Sequence, residues 1–157
     1  GLKNTKLTLP SQIEVGIGLG EHQKWFAGLE YTYINNSKFS NPFLTTTDVN
    51  YKDSYKIAAG GFWIPNYHSF SSYWHRVTYR AGFRYENTGI VLNGQNINYF
   101  GTSFGLSLPV KGFSNITLVG EYGKRGTTTA NLIKENEFNL RIGFTLNDKW
   151  FQRTKYQ

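Results

Sequence analysis

Charged side chains at alternate positions of an extended segment are the residues of this sequence best suited to chemistry. The segment 76–87, RVTYRAGFRYEN, carries Arg76, Arg80 and Arg84 in one register, whereas the other register is apolar from position 77 to position 85. Successive side chains of a β-strand point to opposite faces, so the segment predicts a strand with one charged and one apolar face. The charged face fits solvent or a water-filled lumen, and the apolar face must be buried against a protein core or lipid.

Charged residues occupy the same register on the other predicted strands, where they could contact a solute or hold an interior together. The expected inward-facing set is Glu14, Glu30, Lys56, Arg76, Arg80, Arg84, Glu86, Glu121, Arg125, Glu137 and Arg141. Charges that cannot face lipid are normally paired, so one role is a salt-bridged interior. Direct selection of a solute is the other role. Small residues in this register predict room for a plug or a passage: Gly101, Ser103, Gly105 and Ser107.

Enzyme, metal and cofactor chemistry have little support in the sequence. The chain has no cysteine, which excludes thiol catalysis and cysteine-ligated metals. His68 and His75 lie in one connection and His22 lies in a predicted turn, which matches no zinc spacing. The serines lack a nucleophile-elbow context, and no helix follows the glycine series that begins at Gly16. We therefore expect a protein that is not an enzyme and that holds no metal or cofactor.

The basic balance of the chain raises nucleic acid as a partner, but the pattern of charges argues against it. The formal net charge is +7. The basic residues are scattered along strands, except for a group near the C-terminus, and no motif typical of a nucleic-acid-binding domain is present. We therefore expect no nucleic acid partner.

Alternating polarity predicts about seven strands, and the fold class expected from them is all-β and antiparallel. The strands are expected at 12–20, 24–34, 55–64, 76–87, a segment ending at 108, 115–124 and 137–147. The connections alternate roughly between short and long: 20–23, 35–53, 65–75, 87–95, 109–114 and 124–136. Strands of this length and such alternation are typical of transmembrane barrels with short turns on one rim and long loops on the other.

Two architectures fit these strands, an outer-membrane β-barrel and a soluble β-sandwich. Aromatic residues make up 17% of the chain, which favours β structure. Several of them fall where the interfacial belts of a barrel would lie: Trp25, Tyr33, Trp63, Tyr85, Tyr99, Tyr122 and Trp150. The aromatic positions and loop lengths favour the barrel, with Val77, Tyr79, Ala81, Phe83 and Tyr85 facing lipid.

The predicted strand number is odd, whereas single-chain bacterial barrels close with an even number. An open sheet in lipid would leave backbone groups unpaired at both edges. The sequence also contains no methionine, even at position 1. We therefore expect residues 1–157 to be the C-terminal part of a larger barrel, with its first and last strands paired to polypeptide outside this sequence.

Several segments resemble the FadL/TodX-like outer-membrane transport proteins of Bacteroidetes. These segments are YRAGFRYE, FGLSLP, EYGKRGT, the KEN before the last strand and LNDKWF. The resemblance implies a fourteen-stranded antiparallel barrel in the Gram-negative outer membrane, with an N-terminal hatch that is absent here. It also implies uptake of hydrophobic small molecules, such as long-chain fatty acids or aromatic hydrocarbons, so lipid and that substrate are the expected partners. The alternative is a barrel that serves as partner or scaffold in protein secretion or surface assembly, with a protein partner.

Overall fold

A computed structural model describes residues 9–38, 49–110 and 114–146, and these residues form a single antiparallel sheet. Its strands are β1 (Gln12–Glu21), β2 (Trp25–Ile34), β3 (Val49–Tyr51), β4 (Ser54–Trp63), β5 (Thr78–Leu92), β6 (Gln95–Pro109), β7 (Asn115–Arg125) and β8 (Glu135–Thr145). The order is β1-β2-β4-β5-β6-β7-β8, and the short β3 pairs with β5. The predicted all-β, antiparallel class is confirmed, with eight strands in place of seven. Part of the expected 35–53 loop, Asn147 and Trp150 lie outside the described residues.

Up-and-down connections give the sheet two distinct ends. One end, here called the turn rim, holds the Glu21–Lys24 turn and the connection 64–77. The other end, the loop rim, holds the tip of the β5–β6 hairpin and the connection 126–134. The three helices in the described part of the chain are single 3-10 turns, and none of them is long and apolar enough to span a membrane.

The segment 87–95 is mostly strand, which corrects the prediction of a loop there. Strands β5 and β6 continue to Leu92 and from Gln95, and they are joined by a two-residue turn at Asn93 and Gly94. Both turn residues have positive φ, +48° and +76°, the combination that a type I′ hairpin turn needs. The apolar run Ile90–Leu92 extends the strand because β3 supplies a hydrogen-bonding partner for it.

The start of β5 also differs from the prediction. Arg76 belongs to a 3-10 turn, Trp74–Arg76, and the strand begins only at Thr78. Val77, expected to face lipid, is completely buried. The amide of Asn66 donates to the carbonyl of His75, which closes the connection 64–77 into a hydrogen-bonded loop and turns the chain before the strand starts.

The cross-strand register separates the side chains into two faces of opposite character. Directly paired residues of an antiparallel sheet share a face. One such row, crossing seven strands, is Ile17, Leu29, Ala59, Phe83, Thr102, Tyr122 and Phe138. Phe104, Phe138 and Leu140 on this apolar face are 68–72% exposed, because no second layer of described residues covers them. A two-layer β-sandwich therefore does not describe this part of the chain.

Candidate functional site

The polar face of the sheet gathers the predicted charged residues, except for Arg76. Their positions follow from the register, which links residues in rows across the strands. The first row is Glu14, Thr32, Lys56, Glu86, Tyr99, Arg125 and Glu135; the second is Gly16, Glu30, Ala58, Arg84, Gly101, Gly123 and Glu137. The third row ends in Ser103, Glu121 and Asn139, and the fourth contains Phe62, Arg80, Gly105, Val119 and Arg141. Acidic and basic side chains therefore lie on the same face of the sheet, on neighbouring strands.

Arg76 lies apart from this polar face. Its guanidinium carbon lies 5.5 Å from the ring centroid of Tyr73, within the turn-rim connection. The alternation of the sequence alone placed Arg76 with the other arginines, because the pattern runs through the 3-10 turn without a break.

Opposite charges on neighbouring strands pair across the polar face. Lys56 Nζ lies 2.7 Å from Glu30 Oε1, joining β4 to β2. Arg141 Nη2 lies 2.8 Å from Glu121 Oε2, joining β8 to β7. These two ion pairs are each formed between adjacent rows, so they link strands diagonally and stabilise the register of the face.

Tyr99 lies on the polar face near the loop rim, between two arginines. The guanidinium carbon of Arg84 lies 4.3 Å from its ring centroid and that of Arg125 lies 5.7 Å away. Cations above an aromatic ring are attracted by its negative face. Tyr99 was predicted to lie in an interfacial aromatic belt, and that prediction is wrong. The alternation of the sequence could have predicted this position, because Tyr99 is adjacent to the apolar Phe100 and is two residues from Gly101, which lies in the inward register.

Glycines make the space that the Tyr99 ring occupies. A Cβ atom on Gly101 would lie 2.9 Å from Cε1 of Tyr99, and one on Gly123 would lie 2.7 Å from its hydroxyl oxygen. The ring therefore lies flat across two glycines on neighbouring strands. This packing explains Gly101, one of the small residues that the sequence suggested would leave a passage.

Beside Tyr99 the polar face is concave. A groove of about 520 Å³ is lined by charged and polar side chains that include Arg84, Glu121, Glu137 and Arg141, with Gly82, Gly101 and Ser103 along its floor. Such a surface can exchange hydrogen bonds and ion pairs with a polar partner. In the stretches that the structure covers, no group of three or more His, Asp or Glu side chains could hold a metal ion.

An aromatic pair interrupts the polar face near the turn rim. Phe26 and Phe62 stack with their ring centroids 6.1 Å apart, and the guanidinium carbon of Arg80 lies 6.0 Å from the ring centroid of Phe62. A Cβ atom on Gly18 would lie 2.7 Å from the Phe26 ring, so this ring also covers a glycine of the neighbouring strand. Aromatic rings over glycines thus recur at both ends of the polar face.

The fold and these contacts define an all-β protein whose single sheet has one polar, ion-paired face and one exposed apolar face. Comparison with protein families finds one match that extends over residues 1–157, to the family BamG. The chain belongs to the BamG family. No curated protein and no solved structure matched the chain.

Membership of the BamG family corrects the resemblance to FadL/TodX-like transport proteins. The family name points to a protein associated with the BAM complex and not to a transporter. Two of the segments that suggested the resemblance, YRAGFRYE and FGLSLP, are alternating strand sequences in β5 and β6, a pattern that different antiparallel sheets share. The prediction of uptake of hydrophobic compounds was therefore wrong.

Proposed function

We propose that this protein is an outer-membrane component that works with the BAM complex in outer-membrane protein assembly, as a partner or scaffold. The observation that carries the proposal is the BamG match over residues 1–157. It agrees with the alternative expected from the sequence, a barrel that serves a protein partner.

The apolar face supports a location within the outer membrane. Side chains such as Ile17, Phe104 and Leu140 are about two-thirds exposed, and they form one face that extends across the sheet. Exposing so much contiguous apolar surface to water would be unfavourable, whereas hydrocarbon would solvate it. Trp25 and Trp63 pair at the turn-rim end of this face, where an interfacial belt would lie. In this proposal the sheet is the wall of a β-barrel.

The polar face then takes the lumen side, and its role is structural and not enzymatic. Charges that cannot face lipid are instead paired with each other on this side, as in Lys56–Glu30 and Arg141–Glu121. A scaffold needs a rigid wall, and diagonal ion pairs together with the glycine-seated Tyr99 supply rigidity without any reacting group.

Association with the BAM complex is tested by isolating the protein from its native outer membrane. The full-length protein carrying an affinity tag is extracted with detergent and purified, and its companions are identified and counted. We expect BAM subunits in a fixed ratio to the tagged protein. A tagged outer-membrane protein of unrelated function, purified in parallel, controls for trapping of nascent barrels on the complex.

Depletion of the protein tests the role itself. We expect the levels of several folded outer-membrane proteins to fall together, while uptake of long-chain fatty acids stays unchanged. Normal levels of those proteins, combined with the absence of BAM subunits from the purified sample, would exclude the proposal. Recovery of the protein in the soluble fraction without detergent would exclude the membrane location.

A further inference from the structure

We propose that β1 and β8 both pair with strands that run from the turn rim to the loop rim, and that an odd number of added strands in total completes the barrel. We assign these strands to other residues of the same polypeptide, outside the residues that the structure describes. The inference rests on the membrane location proposed above, but it does not depend on the BAM complex.

The directions of the two edge strands carry the argument. β1 starts at the loop rim beside Ile34, its partner at Gln12, and it ends at the turn beside Trp25. β8 also ends at the turn rim, where Thr145 pairs with Asn115. The two edges therefore run the same way, although every pair of neighbouring strands in the sheet is antiparallel. Closing β1 directly onto β8 would create a parallel pair.

A second copy of the chain meets the same obstacle. If both copies have the same orientation in the membrane, β8 of one copy again meets β1 of the other in parallel. An inverted copy would allow β1 to pair with β1 in antiparallel fashion, but its loop rim would then lie on the opposite side of the membrane. Only an odd number of intervening strands restores antiparallel pairing at both edges.

Both edges are built to accept such strands. β1 and β8 are ten and eleven residues long, contain no proline and keep a continuous register with their inner neighbours. Their two-faced pattern persists to the edge: Ile17 and Leu140 lie on the apolar face, and Glu14 and Asn139 lie on the polar face. Soluble proteins usually protect an edge of this length with proline, lysine or a bulge. The added strands must share this alternation.

Both edge strands need a hydrogen-bonding partner at all times. This requirement favours strands of the same polypeptide over strands of a separate protein. An uncovered edge in lipid leaves several backbone N–H and C=O groups without hydrogen bonds, each at a cost of several kcal/mol. A partner that dissociates would impose this cost on two edges at once, whereas strands of the same polypeptide cannot leave.

The experiment places a photo-crosslinking amino acid at Asn139 on β8, or at Gln12 on β1, in the full-length protein in its native membrane. Ser103 serves as the positive control, because its neighbours are Gly82 on β5 and Glu121 on β7. We expect the edge probes to crosslink within one polypeptide, to peptides other than those of β1–β8, without an increase in mass. The control probe should give β5 and β7 peptides.

Four results would overturn the proposal: a crosslink from one edge probe to the opposite edge, a dimer of the chain, an adduct with a different protein, or lipid adducts alone. A cysteine pair gives a second measurement, since the chain contains no cysteine. With Gly16→Cys and Asn139→Cys combined we expect no disulfide, and formation of one would show that β1 and β8 are neighbours. An adduct between an edge probe and a BAM subunit would overturn this proposal but support the proposed function, so the two proposals can fail separately.

Discussion

The guanidinium carbon of Arg84 lies 4.3 Å from the ring centroid of Tyr99, and the ring itself rests on glycines of its own strand and of β7. The contact joins β5 to β6 on the polar face, near the loop rim. The contact depends on the absence of a side chain at Gly101, so even a methyl group at this position should disturb it.

Gly101→Ala should lower stability by about 1–3 kcal/mol, the usual range for forcing an extra methyl group into a packed site. The methyl group would lie 2.9 Å from a ring carbon of Tyr99, so the ring must move away from Arg84. Unfolding of the purified protein by denaturant in detergent measures the change. Gly120→Ala is the matched control, because a Cβ atom there would meet nothing within 4 Å.

The same substitution in a Tyr99→Leu background should cost much less, because no ring remains to be displaced. Equal costs in the two backgrounds would show that Gly101 is required for another reason, such as the conformation of its own backbone.

Phe83→Arg should prevent assembly of the protein in the membrane. Phe83 lies on the apolar face, where its ring packs edge-on against Phe100 with centroids 5.2 Å apart. A charge at the middle of the bilayer costs about 2–4 kcal/mol on a barrel strand. The folded fraction is read from the gel mobility of unheated and heated samples.

Ser103→Arg is the control for Phe83→Arg, since it places the same charge on the polar face opposite Glu121. Glu86→Gln should also be mild. If Phe83→Arg assembled as well as these two variants, the apolar face would not be the face in contact with lipid.

Exchanging the charges of Lys56 and Glu30 should restore the stability that either single charge reversal loses. Each reversal leaves two like charges at the position of a 2.7 Å ion pair, whereas the double variant Lys56→Glu with Glu30→Lys rebuilds the pair with opposite direction. Unfolding midpoints of the four proteins provide the comparison. A double variant no more stable than the singles would mean that the pair has no direct coupling. The Arg141–Glu121 pair, whose arginine is 69% exposed, should show a smaller effect.

Gly94→Ala should destabilise the β5–β6 hairpin by about 1–2 kcal/mol, the cost of a left-handed conformation for a residue with a side chain. Gly94 has φ of +76° and a Cβ atom there would touch nothing within 4 Å, so the effect is conformational and not steric. Gly94→Asn should cost less, because asparagine tolerates this region. Amide hydrogen exchange at Leu92 and Gln95 would report the loosening of the hairpin, and equal exchange in both variants would argue against this origin.

The long strands and their two faces could be predicted because strict alternation leaves little freedom. The residues 137–145 show this best, since every second side chain is apolar and the strand is found there. The same alternation put Arg80, Arg84 and Glu86 on one face, and the register places them together. Their role in a lumen stays a prediction.

What could not be predicted depended on tertiary context. β3 has only three residues, and it forms because the extended part of β5 lies beside it. The strand continues through Gly89, which has positive φ, because the backbone amide of Lys52 donates to the Gly89 carbonyl. The family could not be read from short segments, since residues that satisfy a two-faced sheet recur among unrelated sheets.

The β5–β6 hairpin continues five residues beyond Asn87, the last position of β5 that pairs with β4. At roughly 3.3 Å per residue, its tip stands about 15 Å above the end of β4. An epitope inserted between Asn93 and Gly94 would bind an antibody on intact cells if the loop rim faces outward, and only after permeabilisation if the loop rim faces inward.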